Sequence, residues 1–274
     1  MYVLFDIGGT TTRIAFSRDG FSFVKEPILF STKKIFSEEA KKIAHIVKEH
    51  ADTKLRGVFG GIPGVLNSNH QKITSSPNLP LWAGENIKVL LQDELETQVF
   101  LENDAVLAGL GEATYGAGKK YEIVAYLTVS TGVGGARIVR GAIDDKALAF
   151  EPGHQIITND GSDLESFISG TAVEKKYKKH PSQIFDETIW EDIENHLARG
   201  LYNATLFWSP HVWVLGGGMV LKKPGIRTQE VEKKLHILLK NFSKKPPIVT
   251  AELGDKAGLY GALAYARTHK KSRV

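Results

Sequence analysis

The chain has 274 residues, of which 42% are hydrophobic, and 35 Lys and Arg stand against 31 Asp and Glu, a formal net charge of +4. This length allows one large domain or two smaller ones with their own cores. The basic residues are spread along the chain without interleaved aromatics, which favours a solvated surface over nucleic-acid binding. Because the sequence has no cysteine, disulfides, thiolate zinc sites and cysteine nucleophiles are excluded.

Targeting signals are the next class that the sequence argues against. No basic segment followed by an apolar stretch and a small-residue cleavage site is present, and no apolar run reaches transmembrane length. We therefore expect a cytoplasmic protein with no membrane partner and no nucleic-acid partner.

A glycine- and threonine-rich turn is the first candidate binding element. The apolar run Val3–Ile7 meets Gly8, Gly9 and three threonines and resumes at Ile14, a pattern that predicts a hairpin. Glycines that reach φ > 0 can turn successive N–H groups toward one point, which suits phosphate oxygens. Asp6 ends the first strand, where a carboxylate could hold Mg²⁺ through water. The alternative is an ordinary hairpin whose glycines only form the turn.

Further elements of a first α/β unit follow this hairpin. We predict a strand over Phe21–Phe30 and a helix from Ser37 that turns its apolar residues inward and its lysines and glutamates to solvent. The short strand Leu55–Phe59 runs into the loop Gly60–Gly64, where the backbone either approaches a ligand or simply turns. Asn78 lies between two prolines, so its amide either caps a turn or binds a polar ligand.

Two polar residues mark a strand-to-helix junction. The strand Gln98–Leu101 is followed by Glu102, Asn103 and Asp104, and a helical pattern begins at Ala105. Asn and Asp are favoured helix N-caps, which explains one of the two residues. The carboxyl end of a strand is also where α/β proteins bind ligands, which would explain the second.

A second strand, Gly/Thr turn and strand repeats the first hairpin. The turn Ser130–Gly135 lies between the apolar runs Val124–Val129 and Ala136–Val139, and Gly132 follows Gly8 by 132 − 8 = 124 positions. The repeat predicts two similar domains, each offering a phosphate-binding hairpin to a shared cleft. A chance recurrence of a glycine hairpin is the alternative.

Three more sites complete the set of candidates. Glu151–His154 is a polar loop, and Glu165 lies in a predicted helix that starts at Asp163; taken singly, these are ordinary surface residues. Gly216–Gly218 follows the strand Val212–Leu215, and permits either the close approach of a nucleoside or the close packing of a helix on the strand. A final helix over Gly258–Arg267 precedes a basic tail.

The order and spacing of these motifs resemble the bacterial glucokinase and ROK (repressor, open reading frame, kinase) group of sugar kinases, part of the actin-like, hexokinase-like ATPase superfamily. The resemblance covers nearly the full chain. It implies an α/β fold of two actin-like, ribonuclease H-like domains, each with a mixed five-stranded sheet flanked by helices, with a cleft between them. Residues 1–104 would form the small domain and 105–256 the large one, with the C-terminal helix 257–274 packing on the small domain.

The resemblance also implies the roles of individual residues. Asp104 matches the catalytic base, and Asp6 the residue that holds Mg²⁺ through water. ATP would be bound by the hairpins and the last glycine turn, that is, by Asp6, Gly8, Gly9, Thr10, Thr11, Arg13, Thr131, Gly132, Val133, Gly134, Gly216, Gly217 and Gly218. The sugar would be bound by Gly61, Asn78, Asn103, Asp104, Glu151, His154 and Glu165.

The sequence departs from the family pattern after His154. Many ROK members carry a zinc-binding cysteine cluster there, whereas this chain has Gln155–Gly161 and no cysteine. We expect no zinc site, with packing alone ordering this segment. Pro152 replaces the apolar residue common before Gly153, which leaves the identity of the sugar open.

The resulting hypothesis is an ATP- and Mg²⁺-dependent hexose kinase, active as a homodimer, that phosphorylates the 6-hydroxyl of glucose. An N-acetylhexosamine or fructose kinase on the same scaffold is the first alternative. A sugar-sensing repressor is another, although such repressors carry an N-terminal DNA-binding domain, whereas here the hairpin begins at Val3 and Asp104 is retained. The polar sugar-type residues argue against a non-catalytic actin-like scaffold.

Overall fold

The structure is a computed structural model that describes residues 1–76, 79–144 and 149–271. The chain divides into two compact units. The first unit holds Met1–Gly111 and the C-terminal segment from Asp255, and the second holds most of the chain from Glu112 to Gly254. Within the described ranges, no helix combines the length and apolar composition that crossing a bilayer requires.

Strands and helices alternate along much of the chain. The strands are β1 (Tyr2–Ile7), β2 (Thr11–Ser17), β3 (Ile28–Ser31), β4 (Gly57–Ile62), β5 (Val65–Leu66), β6 (Ile73–Ser75), β7 (Val99–Asn103), β8 (Ile123–Val129), β9 (Val133–Val139), β10 (Ala142–Ile143), β11 (Val212–Gly216) and β12 (Ile248–Thr250). The helices are α1 (Phe36–His50), α2 (Ile87–Leu95), α3 (Asp104–Thr114), α4 (Glu165–Ile168), α5 (Gly170–Tyr177), α6 (Glu187–Trp208), α7 (Gly218–Leu221), α8 (Thr228–Leu238) and α9 (Ala257–Lys271).

The sheet of the first unit is mixed and has the strand order β3-β2-β1-β4-β7. β1 pairs antiparallel with β2 and parallel with β4, and β4 pairs parallel with β7. The carboxyl ends of the three parallel strands therefore lie at one edge of the sheet. The register pairs Asp6 with Gly61 and Ile62 with Asn103, which brings the candidate residues of three strands to that edge.

The sheet of the second unit has the same plan, with the order β10-β9-β8-β11-β12. β8 pairs antiparallel with β9 and parallel with β11, and β11 pairs parallel with β12. Both sheets are five-stranded, mixed and accompanied by helices, so the predicted fold class is confirmed.

The core of the first unit lies between its sheet and helices α1 and α2. Phe36 at the start of α1 meets Trp82 edge-on, with the ring centroids 4.8 Å apart. The indole Nε1 of Trp82 donates to the carbonyl of Lys34 at 3.0 Å, which satisfies the polar atom of a fully buried side chain. Each such large apolar side chain contributes about 1.5–3 kcal/mol through burial. On this unit α9 also packs, against β1 and β4.

The core of the second unit is organised by α6. Trp190, Ile193, Leu197 and Leu201 recur at helical spacing on this helix and are fully buried. Asp186 caps the helix by accepting from Thr188 N at 2.9 Å.

Two local elements differ from the sequence-based prediction. The strand predicted over Phe21–Phe30 is limited to Ile28–Ser31, because Asp19 accepts from the N–H groups of Phe21 and Ser22 and forms a turn there. Gly60 and Gly61 belong to β4 rather than to a loop. The ring of Phe5 lies over Gly60, where a side chain would have no room.

Candidate active site

Asp6 lies near the carboxyl end of β1, with 15% of its side chain exposed. Burial raises its pKa to about 6, although the guanidinium of Arg13 opposes this shift. Arg13 is the cross-strand partner of Asp6 on β2, and its Nη1 lies 3.9 Å from Asp6 Oδ2. A Cβ atom at Gly258 in α9 would lie 2.5 Å from Asp6 Cγ, so the helix backbone closely approaches this carboxyl group.

The turn between β1 and β2, which we call the N-terminal hairpin, is closed by a bond from Gly8 N to Thr11 O of 3.0 Å. No described residue accepts a hydrogen bond from the N–H groups of Gly9 or Thr10. Two successive amides are therefore available to an anion. Gly8 and Gly9 both lie outside the left-handed region, so this turn does not use the positive φ that glycine can reach. Instead, a Cβ at Gly8 would lie 3.3 Å from Thr11 O, a tight contact that favours glycine.

The N-terminal hairpin is held from behind by residues that the sequence analysis missed. Thr32 N donates to Thr10 O at 3.0 Å, and Thr32 Oγ1 donates to Gly8 O at 2.8 Å. Thr12 Oγ1 lies 3.0 Å from Thr32 Oγ1 and 2.5 Å from Oε1 of Glu39. The prediction that the glutamates of α1 face solvent is wrong for Glu39, which is fully buried. Its spacing from the inward-facing Phe36 and Ile43 is the signal that would have revealed this.

At the strand-to-helix junction, Asn103 is the residue that caps α3. Its Oδ1 accepts from Val106 N at 3.1 Å, and its Nδ2 donates to Gly64 O at 3.0 Å. Asp104 is the first residue of α3, and its Oδ1 accepts from Ala105 N at 2.8 Å. Capping therefore explains Asn103 and leaves Asp104 for another role.

Gly61 lies close to both Asp6 and Asp104. A Cβ atom there would lie 3.1 Å from Asp104 Cα and 3.5 Å from Asp6 Oδ1. The structure thus brings Asp6, Gly61 and Asp104 together at one sheet edge. Asn78, predicted to bind sugar, lies outside the described residues.

Glu102, just before this junction, is a further residue that the sequence did not identify. Its side chain is buried, and Oε1 accepts from Asn103 N at 2.9 Å. His70, from the connection between β5 and β6, places Nδ1 2.9 Å from Leu101 O and 3.8 Å from Glu102 Oε2. The end of β7 that carries Asn103 is therefore fixed from two sides.

The turn between β8 and β9, which we call the second hairpin, also has a closing hydrogen bond and two available amides, but other residues hold it in place. Ser130 N donates to Gly132 O at 2.9 Å, and no described residue accepts from the N–H groups of Thr131 or Gly132. Glu165 Oε2 accepts from Val133 N at 2.6 Å. Gly170 N at the start of α5 donates to Ser130 O at 2.7 Å.

The predicted sugar-binding residues of the second unit form a cluster of titratable groups. Burial raises the pKa of Glu151, His154 opposes that shift and Glu165 adds to it. The hydrogen bond of 3.0 Å that His154 Nδ1 donates to Asp163 Oδ2 raises the pKa of His154. Pro152 seats this loop on β9, since a Cβ at Gly135 would lie 2.6 Å from its Cγ. The structure thus brings Glu151, His154 and Glu165 into electrostatic contact.

The segment after His154 is held by hydrogen bonds, which corrects the expectation that packing alone orders it. Ile156 forms an isolated bridge with Asp163, and Ile157 N donates to Ser162 O at 3.0 Å. Thr158 Oγ1 donates to Asp160 Oδ1 at 2.5 Å within the same turn. Across the described ranges, no group of three or more His, Asp or Glu side chains is arranged to hold a metal ion.

The sequence left two explanations for the three glycines after β11, close packing and the close approach of a nucleoside, and the structure shows different surroundings for each glycine. Gly217 has φ +87°, and a Cβ there would lie 2.6 Å from Thr128 Oγ1, so it serves close packing on β8. Gly216 lies similarly close to the hydroxyl of Tyr126. A Cβ at Gly218, by contrast, would meet nothing within 4 Å. Only Gly218 therefore faces open space of the kind that a nucleoside requires.

The amides of the two hairpins and the carboxylate of Asp6 are of the chemical type that binds a nucleoside triphosphate and Mg²⁺. Each hairpin offers two successive amides to phosphate oxygens. Asp6 offers one carboxylate, and Mg²⁺ in phosphoryl-transfer sites is usually held by one or two carboxylates, substrate phosphates and water. A dedicated cage of protein carboxylates is not needed for this ion.

The ROK family model matches residues 2–269 of the chain. A ROK hexokinase from Thermus thermophilus is 26% identical, with a TM-score of 0.85 over 98% of this chain and 99% of that one. An inorganic polyphosphate/ATP-glucomannokinase from Arthrobacter sp. strain KM is 27% identical, with a TM-score of 0.70 over 98% and 100%. An N-acetyl-D-glucosamine kinase from Pectobacterium carotovorum subsp. carotovorum is 26% identical over 96% of this chain and 97% of its own. The chain therefore belongs to the ROK family.

Proposed function

We propose that this protein is a sugar kinase that transfers the γ-phosphoryl group of ATP to the 6-hydroxyl of a hexose, with glucose as the substrate. The observation that carries the proposal is the pair of Gly/Thr hairpins, each with two amides that donate to no described residue. Amides of this kind bind phosphate oxygens. The similarity to a hexokinase and an ATP-glucomannokinase supports the same reaction.

Asp104 is the proposed general base. Phosphoryl transfer depends mainly on positioning and on stabilising the charge of the transferred group. A base that accepts the proton of the attacking hydroxyl adds to this. Because Asn103 caps α3, Asp104 is not required for capping, and its position beside Gly61 and Asp6 suits a role in the chemistry.

The remaining residues are assigned to binding and charge stabilisation. Asp6 would hold Mg²⁺ through water, and that ion supplies neutralisation of charge on the β- and γ-phosphates. Gly8–Thr11, Arg13 and Thr131–Gly134 would bind the phosphates, with Gly216–Gly218 near the adenosine. The sugar hydroxyls would be bound by Gly61, Asn78, Asn103, Asp104, Glu151, His154 and Glu165, because carboxylates and amides fix hydroxyls through several hydrogen bonds.

A second candidate substrate is N-acetylglucosamine. The similarity to an N-acetyl-D-glucosamine kinase over nearly the whole chain supports it. The loop that would read the sugar contains Pro152, which packs on Gly135 and fixes the backbone between Glu151 and His154.

The test is ADP release in a coupled assay across glucose, mannose, fructose, N-acetylglucosamine and N-acetylmannosamine, with MgATP as donor. We expect the highest kcat/KM for glucose and a loss of activity in EDTA that added Mg²⁺ reverses. A preference for N-acetylglucosamine would contradict glucose as the substrate but agree with the proposed phosphoryl transfer from ATP. Turnover of none of the five sugars would contradict the proposal.

A further inference from the structure

Behind the N-terminal hairpin lies a chain of side chains to which the proposed reaction assigns no role. It runs from Gly8 O to Thr32, then to Thr12, and ends at Glu39 of α1. We propose that Glu39, in its neutral form, is a positioning residue for nucleotide binding, which it sets through Thr12 and Thr32. This inference rests on the proposed function, because it assumes that the hairpin binds the phosphates of ATP.

Thr32 is the point at which this chain holds the hairpin. Its N–H donates to Thr10 O and its hydroxyl donates to Gly8 O, so one residue fixes carbonyls on both sides of Gly9. A carbonyl and the following N–H share one rigid peptide plane. Fixing the carbonyl of Gly8 therefore restricts the direction of the Gly9 amide, one of the two amides that the hairpin offers to an anion. An error of about 1 Å in such groups is enough to weaken phosphoryl-transfer catalysis.

Counting hydrogens indicates which form of Glu39 completes the chain. The three links, Glu39 to Thr12, Thr12 to Thr32 and Thr32 to Gly8 O, need three hydrogens. The two threonine hydroxyls supply two. If Glu39 is ionised, the contact of 3.0 Å between Thr12 and Thr32 has no hydrogen of its own. If Glu39 is protonated, each hydroxyl donates to the next oxygen and every link is filled.

The surroundings of Glu39 shift its pKa upward, in the direction of the neutral form. Burial raises its pKa, while the side chain of Thr12, the amide of Lys33 and the ammonium of Lys33 each lower it by less. Lys33 is exposed, so its charge is screened by water. The second carboxyl oxygen accepts from Lys33 N at 2.8 Å, a bond that a neutral carboxyl group keeps through its carbonyl oxygen.

The competing explanation is that Glu39 only anchors α1 to the sheet. A structural anchor would change stability without changing the affinity for one substrate. A positioning residue would change the affinity for nucleotide and leave the affinity for sugar unaltered. Glutamine separates the two protonation states, because its amide can donate to Thr12 and accept from Lys33 N, as neutral Glu39 would.

The experiment compares wild type with Glu39→Gln, Glu39→Met, Thr12→Val and Thr32→Val. The readouts are KM for MgATP, glucose Kd by calorimetry and melting temperature. The matched control is Glu38→Gln, which makes the same substitution at an exposed neighbour in the same turn. Loss of one buried hydrogen bond corresponds to about a 3- to 10-fold change in affinity.

We expect Glu39→Met, Thr12→Val and Thr32→Val each to raise KM for MgATP about 3- to 10-fold with glucose Kd unchanged. Glu39→Gln and the control should stay within about twofold of wild type. Should Glu39→Met fail to fold, the two valine variants give the same test. Unchanged KM for MgATP in the valine variants would overturn the positioning role, and a Glu39→Gln variant as weak as Glu39→Met would overturn the neutral form. Inactive wild-type protein would instead count against the proposed function.

Discussion

In the first unit, the hairpin between β1 and β2 is held by Thr32, Thr12 and Glu39, all behind the turn. In the second unit, the hairpin between β8 and β9 is held by Glu165, which accepts from Val133 N at 2.6 Å. Glu39 is fully buried, whereas Glu165 is partly exposed and is itself a proposed sugar ligand. Two turns of similar sequence are thus held by carboxyl groups that differ in exposure, one fully buried and one partly exposed.

This difference has a consequence for how the two hairpins respond to substrate. In the support of the N-terminal hairpin, Thr12 and Glu39 are fully buried and no residue is a proposed sugar ligand, so we expect sugar binding not to alter it directly. If Glu165 binds sugar as proposed, a sugar hydroxyl would compete with Val133 N for the same carboxylate and change the support of the second hairpin. We therefore expect the second hairpin to couple the two substrates and the N-terminal hairpin to act on nucleotide alone.

The largest expected effect on this comparison comes from Glu165→Met, which removes both carboxylate oxygens. A hydrogen bond to a charged group contributes about 1.5–3 kcal/mol, so its loss should raise KM for glucose about 10- to 150-fold. Because Glu165 also holds Val133 N, KM for MgATP should rise as well. Steady-state kinetics with both substrates varied measures the two effects. Unchanged KM for MgATP would show that the second hairpin does not depend on Glu165.

A smaller effect is expected from adding a methyl group to each turn. A Cβ at Gly132 would lie 2.9 Å from Glu165 Oε2, so Gly132→Ala displaces the sugar ligand and should weaken glucose binding about 3- to 10-fold. A Cβ at Gly8 would lie 3.3 Å from Thr11 O, so Gly8→Ala should affect MgATP only. Calorimetry measures the glucose affinity of both variants and tests whether only Gly132→Ala weakens it. Equal glucose affinities would contradict the difference between the hairpins.

The smallest expected effect concerns pH and the pair His154 and Asp163. The hydrogen bond to Asp163 raises the pKa of His154. A raised histidine pKa stabilises the fold fully below the unfolded value of 6.5, and this contribution is lost as pH rises through the folded pKa. Asp163→Asn should therefore lower the melting temperature by about 1–2 °C near pH 5.5 and by less near pH 9, since His154 is largely exposed. A deficit that grows with pH would contradict this account.

The architecture and the two hairpins were predictable because they depend on local patterns. Alternating apolar runs broken by Gly and Thr define strand, turn and strand wherever they occur. The junction at Asn103 and Asp104 was predictable for the same reason, since an apolar run ends there and a helical pattern begins. The family resemblance then supplied the roles of residues that local patterns leave ambiguous.

The supports of the hairpins were not predictable, because their partners are far apart in the sequence. Thr12 and Glu39 are 27 positions apart, and Val133 and Glu165 are 32 apart. Helical spacing places Glu39 on the inner face of α1, but it does not identify Thr12 as its partner. The conformation of the turn was not predictable for a related reason: it is held by the bond from Gly8 N to Thr11 O and by the contacts of Thr32, which leave Gly8 and Gly9 outside the positive-φ region.

The most direct test of the proposed mechanism is Asp104→Asn, with kcat, glucose Kd by calorimetry and melting temperature as readouts. Asn cannot accept the hydroxyl proton, so kcat should fall about 10²- to 10⁴-fold. Asn has nearly the same volume and polar groups, so glucose Kd should change much less. Because Asn103 caps α3, the melting temperature should stay near that of wild type. Full turnover at an unchanged melting temperature would contradict the assignment of Asp104 as the base.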